Sequence, residues 1–377
     1  MPKPTTARPG KSVEINHQPV EFSFWPVAKT TRRYGFQSRV FTSNPWAVIE
    51  ECIAQKCPKN LRQTAHAFRD QAEDFFEMAQ MSKLPFAKPL PFYYSFLNLV
   101  KAFVLTAGRG TRDYRPQHGM SEAARDRQVE GAIIRVHPYS SPRRNAFADF
   151  YAALTGKQLR KTKNLRLGYL LPQILFGHRL WCSAARTRDR FVPMQKIEFI
   201  ESRTARQTWI RFVIKREELR RSNISQQTLL RESRLSDDWA VVRVDDAEFP
   251  EDKFLWIEAV TPRTYTHRAS DELFEIASEL KRNLWSSVLL HPPYRRYYLY
   301  VAPHNEQSAV LPQLLSMFVV IFFLGSITRY RPHHFERLLD TRYGPHLIGA
   351  VDEIPMQFVY LLASEILSRE VTKSSIA

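Results

Sequence analysis

Between Leu314 and Ile327 the chain reads LLSMFVVIFFLGSI, its longest nearly unbroken apolar run. A segment this apolar gains most by leaving water, and at about 14 residues it falls short of the roughly 20 that a helix needs to cross a bilayer. It predicts a helix buried at the centre of a protein core. A second rod of this kind is encoded at 89–106, PLPFYYSFLNLVKAFVLT, which begins on prolines and is apolar almost all round. Its few polar positions include Tyr94, Asn98 and Lys101, four and three residues apart, which places them on one face of the helix. A lysine there most often snorkels or pairs with a carboxylate, and only sometimes marks a ligand site.

Other segments fill in around these rods. Asn44 and Pro45 mark the start of a short helix over 45–57. Leu61, Ala65, Phe68, Ala72, Phe75 and Ala79 recur at helical spacing and predict one buried stripe on a second helix. From 195 to 260 the character changes. QKIEFIES, TWIRFVIK, WAVVRVDD and FLWIEAV are short, rich in β-branched and aromatic residues, and read as a small antiparallel sheet. Helical spacing returns with Leu273, Ile276, Leu280, Leu284 and Val288 and persists to the C-terminus. The expected organisation is a disordered basic arm (1–20) and a helical region with a basic loop and an acid-free segment (21–190). A small antiparallel β insertion (191–265) and a C-terminal helical region packed on the N-terminal helices (266–377) complete it.

The charge is what an ordinary core does not explain. The chain carries 39 Arg and 16 Lys against 38 acids, a formal net charge of +17. Self-repulsion of that size costs stability unless a polyanion uses it. Arg is the cation suited to bidentate phosphate contacts and to stacking on bases, so nucleic acid is the first expected partner, RNA ahead of DNA. An acidic protein partner and a plain solvated surface are the other readings. The charge is placed: GRGTRDYRPQHG, from Gly108 to Gly119, is a loop bearing Arg109, Arg112, Arg115 and His118. Residues 150–188 hold eight Lys or Arg and no acid, among them Lys157, Arg160, Lys161, Lys163 and Arg166.

Three cysteines, Cys52, Cys57 and Cys182, form no C-x-x-C pair, which argues against a disulfide framework or a structural zinc site and fits a reducing, cytoplasmic setting. The polar, Pro-rich N-terminus has no apolar stretch of the secretory kind, and no membrane partner is expected. Walker A, G-x-G-x-x-G after a strand, and H-E-x-x-H are all missing, so no metal and no cofactor is expected.

At the end of the apolar run, SITRYRPHHFERLLD gathers Arg329, Arg331, His333 and His334, with Pro332 expected to break or restart the helix. Arg and His together suffice for metal-free RNA cleavage, because Arg neutralises the phosphate while His moves protons. The plainer reading makes Arg329 a cation at a helix C-terminus and the two histidines ordinary surface residues.

PLPFYYSFLNLVKAFVLT with QHG at 117–119, FADFYAALTGKQLRKTKNLRLGYLLPQI, PPYRRYYLYV, and LPQLLSMFVVIFFLGSITRYRPHHFERLL together resemble the YaaC-like bacterial proteins over most of residues 45–365. That resemblance implies a helical core in which 89–119 packs with 311–340, drawing Lys101 and His118 towards Arg329. A second resemblance is to the HEPN superfamily, carried by Arg329 and His334 with four residues between them. It implies a mainly α (α+β) fold, a HEPN-like helical bundle assembled from N- and C-terminal segments. It also implies a metal-independent endoribonuclease of bacterial defence or stress response. Arg329 would bind phosphate and His334 transfer protons at a homodimer interface, supported by Lys101, His118, Arg331 and His333. Tyr330 departs from the polar residue usual after that Arg. The alternative is a non-catalytic nucleic-acid-binding or assembly subunit of a larger bacterial defence or processing complex.

Overall fold

The apolar run and the 89–106 rod are both helices, as their patterning predicts, and they pack on one another within one of two units. The computed structural model describes residues 5–26, 39–124, 129–139, 144–233, 235, 238–281, 284–287, 296–303 and 310–373. One unit comprises Asn44–Thr187 and Ser308–Val371; the other comprises Met1–Ser43, Arg188–Gln307 and Thr372–Ala377.

The first unit is helical. Its elements are α1 (Pro45–Lys56), α2 (Lys59–Met81), α3 (Pro89–Thr106), β1 (Met120–Ala124), β2 (Ile133–Val136), α4 (Ala146–Thr155), β3 (Lys163–Arg166), α5 (His178–Ala185), α6 (Gln313–Tyr330), α7 (Pro332–Leu339) and α8 (Gly344–Leu367). Asn44 caps α1 as its sequence suggests, its Oδ1 accepting from the Ala47 N–H at 3.2 Å. In α6, Gly325 lets two helices approach closely: a Cβ there would lie 3.0 Å from Tyr93 Cβ and 3.2 Å from the Pro89 carbonyl oxygen of α3. On the same face Phe318 stacks on Tyr93 and Phe322 meets it edge-on, at centroid distances of 6.2 and 5.3 Å. Phe96 of α3 and Phe358 of α8 stack at 3.8 Å. By length and composition α6 and α8 could each cross a membrane, but 67% of each such window is buried inside the fold. Pro332 restarts the chain as the first residue of α7, as expected. Strands β1, β2 and β3 form a small antiparallel sheet with β2 in the middle and Arg135 opposite Asn164.

The second unit is built on a nine-stranded sheet. Its main path runs Thr5–Thr6, Trp239–Arg243, Phe254–Ala259, Gln207–Lys215, Phe191–Ser202, Arg296–Tyr300, Leu284–Ser287. Lys11–Ser12 and Arg263–Thr264 pair alongside. The sheet is mixed, since Thr5–Thr6 pairs parallel to Trp239–Arg243 while the others are antiparallel. In its middle, Ile210, Phe212 and Ile214 enter one core with Phe199 and Leu255, while Val213 packs on the opposite side with Trp256 and Phe249. Burial on both faces explains why TWIRFVIK reads as a nearly continuous apolar run.

The expectation of a HEPN-like helical bundle carrying a small β insertion is therefore wrong. The four strands read from 195–260 exist, but they are the middle of a large sheet. Strands from both sides of the sequence extend it. Residues 5–19, expected as part of a disordered arm, contribute strands, and Arg8 among them meets a buried carboxylate: it reaches Glu258 at 3.3 Å, and Glu258 also holds Arg211 at 2.7 Å. The helix expected through Leu273, Ile276, Leu280, Leu284 and Val288 ends at Lys281, and Leu284–Ser287 is a strand. Val288 lies outside the described residues.

Candidate functional site

The polar stripe on α3 leads to the most unusual chemistry of the helical unit. Asn98 donates from Nδ2 to Gln71 Oε1 on α2 at 2.8 Å, which turns its Oδ1 towards Lys101, whose Nζ donates to it at 3.2 Å. The Lys101 ammonium also lies over the Phe68 ring, 4.9 Å from its centroid. Burial alone pulls the Lys101 pKa below the usual lysine range, and no carboxylate acts against it.

His118 joins this stripe from the loop after α3. Its backbone is pinned by the start of α4, with the Ala146 N–H bonded to the Gln117 carbonyl at 2.8 Å and the Phe147 N–H to the His118 carbonyl at 3.3 Å. Gly119 follows at φ +78°, where a Cβ would lie 2.3 Å from Asn145 Oδ1, so only glycine fits the turn. The His118 ring shares a hydrogen bond between Nδ1 and the Tyr93 hydroxyl. Burial and the neighbouring Tyr94 push the Tyr93 pKa upwards, which keeps it a protonated phenol. Partial burial, then Lys101 and then Arg329, hold His118 below the usual imidazole value, so at neutral pH it is a neutral ring beside two cations.

Arg329 completes the cluster from the last turn of α6, one turn beyond Gly325. Its guanidinium donates to Tyr94 Oη at 3.2 Å and lies over the Tyr330 ring at 5.1 Å. Tyr94 in turn stacks on Phe75 of α2 at 5.4 Å. Among the described residues, none of Lys101, His118 and Arg329 has a carboxylate partner. The cluster can therefore receive an anion.

The remaining candidates at the α6–α7 junction keep other company. Arg331 is bound through one nitrogen to both oxygens of Glu122 on β1, each at 2.7 Å. His334 is half-buried, its N–H bonded to the Arg331 carbonyl at 2.9 Å. Burial first, then Arg331, His333 and Arg337, lower its pKa, while Glu122 acts in the opposite direction. His333 is exposed. Arg329 bonds Tyr94, whereas the charged neighbours of His334 include Arg331, His333, Arg337 and Glu122.

The basic stretches lie elsewhere on the same unit. Arg109, Arg112 and Arg115 are exposed on the loop. Lys157, Arg160 and Lys161 are exposed between α4 and β3, and Lys163 and Arg166 are exposed on the edge strand β3, with Leu165 between them buried. Arg166 donates to the Glu130 carbonyl at 2.8 Å and covers Tyr169 at 5.6 Å. On β2, exposed Arg135 bonds Asn164 at 3.3 Å.

Lys101, His118 and Arg329 stand out in the sequence, whereas the residues that support them do not. Tyr93 and the α2 aromatics were read as core. Phe76, not Phe75, is the deeply buried position of α2, and Phe68 and Phe75 line the cluster. Gln71 and Glu122 gave no signal, since single polar residues in amphipathic segments are ordinary. Among the described residues no group of three or more His, Cys, Asp or Glu is arranged to hold a metal ion.

The fold and this cluster define a two-unit α+β protein with a set of neighbouring cations in its helical part. The chain belongs to the YaaC-like protein family, whose family model matches residues 28–366. No curated protein and no solved structure matches it.

Proposed function

We propose that the protein is a cytoplasmic nucleic-acid-binding protein whose helical unit grips the phosphates of a single strand, RNA ahead of DNA. The observation that carries this reading is the run Lys157, Arg160, Lys161, Lys163 and Arg166: five exposed cations within ten residues, none in an ion pair with a described residue. Elsewhere cations commonly face acids, as Arg69 faces Glu73 at 2.9 Å and Arg144 faces Asp149 at 3.0 Å. Unpaired cations repel one another and are tolerated where a polyanion neutralises them.

Their setting supports a single strand. The cations sit on a loop and on an edge strand, with Arg135 on the neighbouring strand, and no helix presents them to a major groove. The reading is of binding, because Arg329 and His334 stand among different neighbours.

Labelled single-stranded RNA titrated with the full chain at rising salt tests it. Affinity should fall steeply with salt, and the triple variant Lys157→Glu, Lys161→Glu, Lys163→Glu should weaken binding and flatten the log–log slope by roughly 2. Tighter binding of DNA of the same sequence would reassign the ligand. No binding at low salt, or an unchanged slope in the variant, overturns the proposal.

A further inference from the structure

We infer that Lys101, His118 and Arg329 form a separate seat for one phosphate group, in the form of a terminal phosphate monoester. The inference does not rest on RNA binding by the basic strand and stands on the geometry of the cluster.

Three side chains from α3, the following loop and α6 converge there without a counter-ion among the described residues. Each keeps donor capacity in reserve. Lys101 spends one N–H on Asn98, Arg329 spends one on Tyr94, and His118 engages Tyr93 through Nδ1, with no partner for Nε2 among the described residues. The Arg329 guanidinium turns to Tyr94 instead of the last carbonyls of its own helix, so capping α6 does not account for it. The supports are built to hold this arrangement: Gln71 orients Asn98, Phe75 stacks on Tyr94, and Gly325 sets the approach of α6.

The charge selects the ligand. Lys101 and Arg329 supply two positive charges, matching a phosphate monoester dianion, and His118 can bind a further phosphate oxygen through Nε2 or take up a proton as the dianion arrives. A singly charged carboxylate leaves one cation uncompensated. Half-burying a lysine with an amide oxygen and an aromatic face as its partners costs stability that a structural lysine would recover through a carboxylate. Such a residue is retained at the expense of stability when a ligand completes it.

The test follows the His118 ring by NMR in the full chain while inorganic phosphate is added at constant ionic strength. Saturable shifts of the His118 signals are expected, with its pKa rising on binding. Lys101→Met and Arg329→Gln should each weaken binding about 10- to 100-fold, the worth of one charged hydrogen bond. Lys101→Met should also raise the melting temperature of the ligand-free protein while abolishing stabilisation by phosphate, which a merely structural lysine would not do. The triple substitution at 157, 161 and 163 should leave phosphate binding intact, separating this site from the RNA surface.

Adenosine monophosphate and a 5′-phosphorylated oligoribonucleotide, each compared with its 5′-hydroxyl counterpart, distinguish a nucleotide from an RNA end as the source of the group. Absence of saturable shifts up to millimolar phosphate overturns the inference. So does binding that survives both Lys101→Met and Arg329→Gln, or acetate binding as tightly as phosphate.

Discussion

His346 on α8 is 1% exposed and donates from Nδ1 to the Gly177 carbonyl at 2.9 Å, leaving Nε2 buried without a partner among the described residues. Burial lowers its pKa to about 4; the Gly177 bond opposes that shift and His178 adds to it. In the unfolded chain the same ring titrates near 6.5. Below 6.5 the unfolded state takes up a proton that the folded state refuses. The stabilisation is therefore complete above pH 6.5 and is lost as the pH falls towards 4, amounting to about 3 kcal/mol over that window. His346→Asn keeps a donor for the Gly177 carbonyl and removes the titration. Urea midpoints measured from pH 7 to pH 4 should fall steeply in the wild type and distinctly less in the variant. Parallel pH profiles would show that His346 does not govern acid stability. The same contrast separates His118: a buried ring held by a carbonyl serves the core, whereas the His118 ring bonds a tyrosine hydroxyl and stands near two cations.

At the scale of elements, the candidate site depends on how closely α6 lies on α3. Phe318, Phe322, Gly325 and Arg329 follow at spacings of four, three and four and so share one face of α6. The first three meet α3 at Tyr93 and its neighbours, and the fourth reaches Tyr94. Gly325→Leu forces a side chain against Tyr93 and the Pro89 carbonyl and should cost about 1–3 kcal/mol by overpacking. It should also lift Arg329 off Tyr94, so that the His118 pKa moves back towards its ordinary value. Denaturant unfolding and NMR titration of His118 check the two effects, and a variant that loses stability with an unmoved His118 would uncouple the site from this packing. These helices were legible because α1 has a capping Asn and an N-terminal Pro, while α3 and α6 are apolar on all sides. The contact between them was not legible from residue patterns, because Gly325 looks like any small residue in an apolar run until its neighbour across the interface is known. The same limit explains Leu284: its spacing continues that of Leu273, Ile276 and Leu280, but pairing with Leu299 in the sheet, a partner distant in sequence, decides its conformation.

For the molecule as a whole, the N-terminal segment shows how remote partners override local composition. Residues 1–20 are polar, basic and rich in proline, and such a composition buries too little apolar surface to order itself. Residues 5–19 are held by strand pairing with the sheet and by the carboxylate of Glu258, 4% exposed on its side chain, which Arg211 approaches through Nε and one terminal nitrogen while Arg8 approaches its other oxygen. The Arg8 guanidinium also covers Trp209 at 5.0 Å, and the Arg211 guanidinium donates to the Arg8 carbonyl at 3.0 Å. Two residues on, Gly10 approaches the sheet so closely that a Cβ would lie 2.6 Å from Ile200 Cγ2. Arg8→Ala leaves Glu258 with Arg211 as its remaining cation and uncovers Trp209, so the sheet unit should lose about 1–3 kcal/mol. Arg8→Lys should recover only part of this, since one ammonium cannot both approach Glu258 and donate to neighbouring carbonyls as the planar guanidinium does. Tryptophan fluorescence during urea unfolding should report a lowered midpoint and an altered native signal from Trp209. RNA and phosphate binding should be unchanged, because every residue assigned to them belongs to the helical unit. An unchanged midpoint would mean that the arm rests on the sheet without stabilising it, and a loss of RNA binding would mean that the charge at the N-terminus belongs to the binding surface after all.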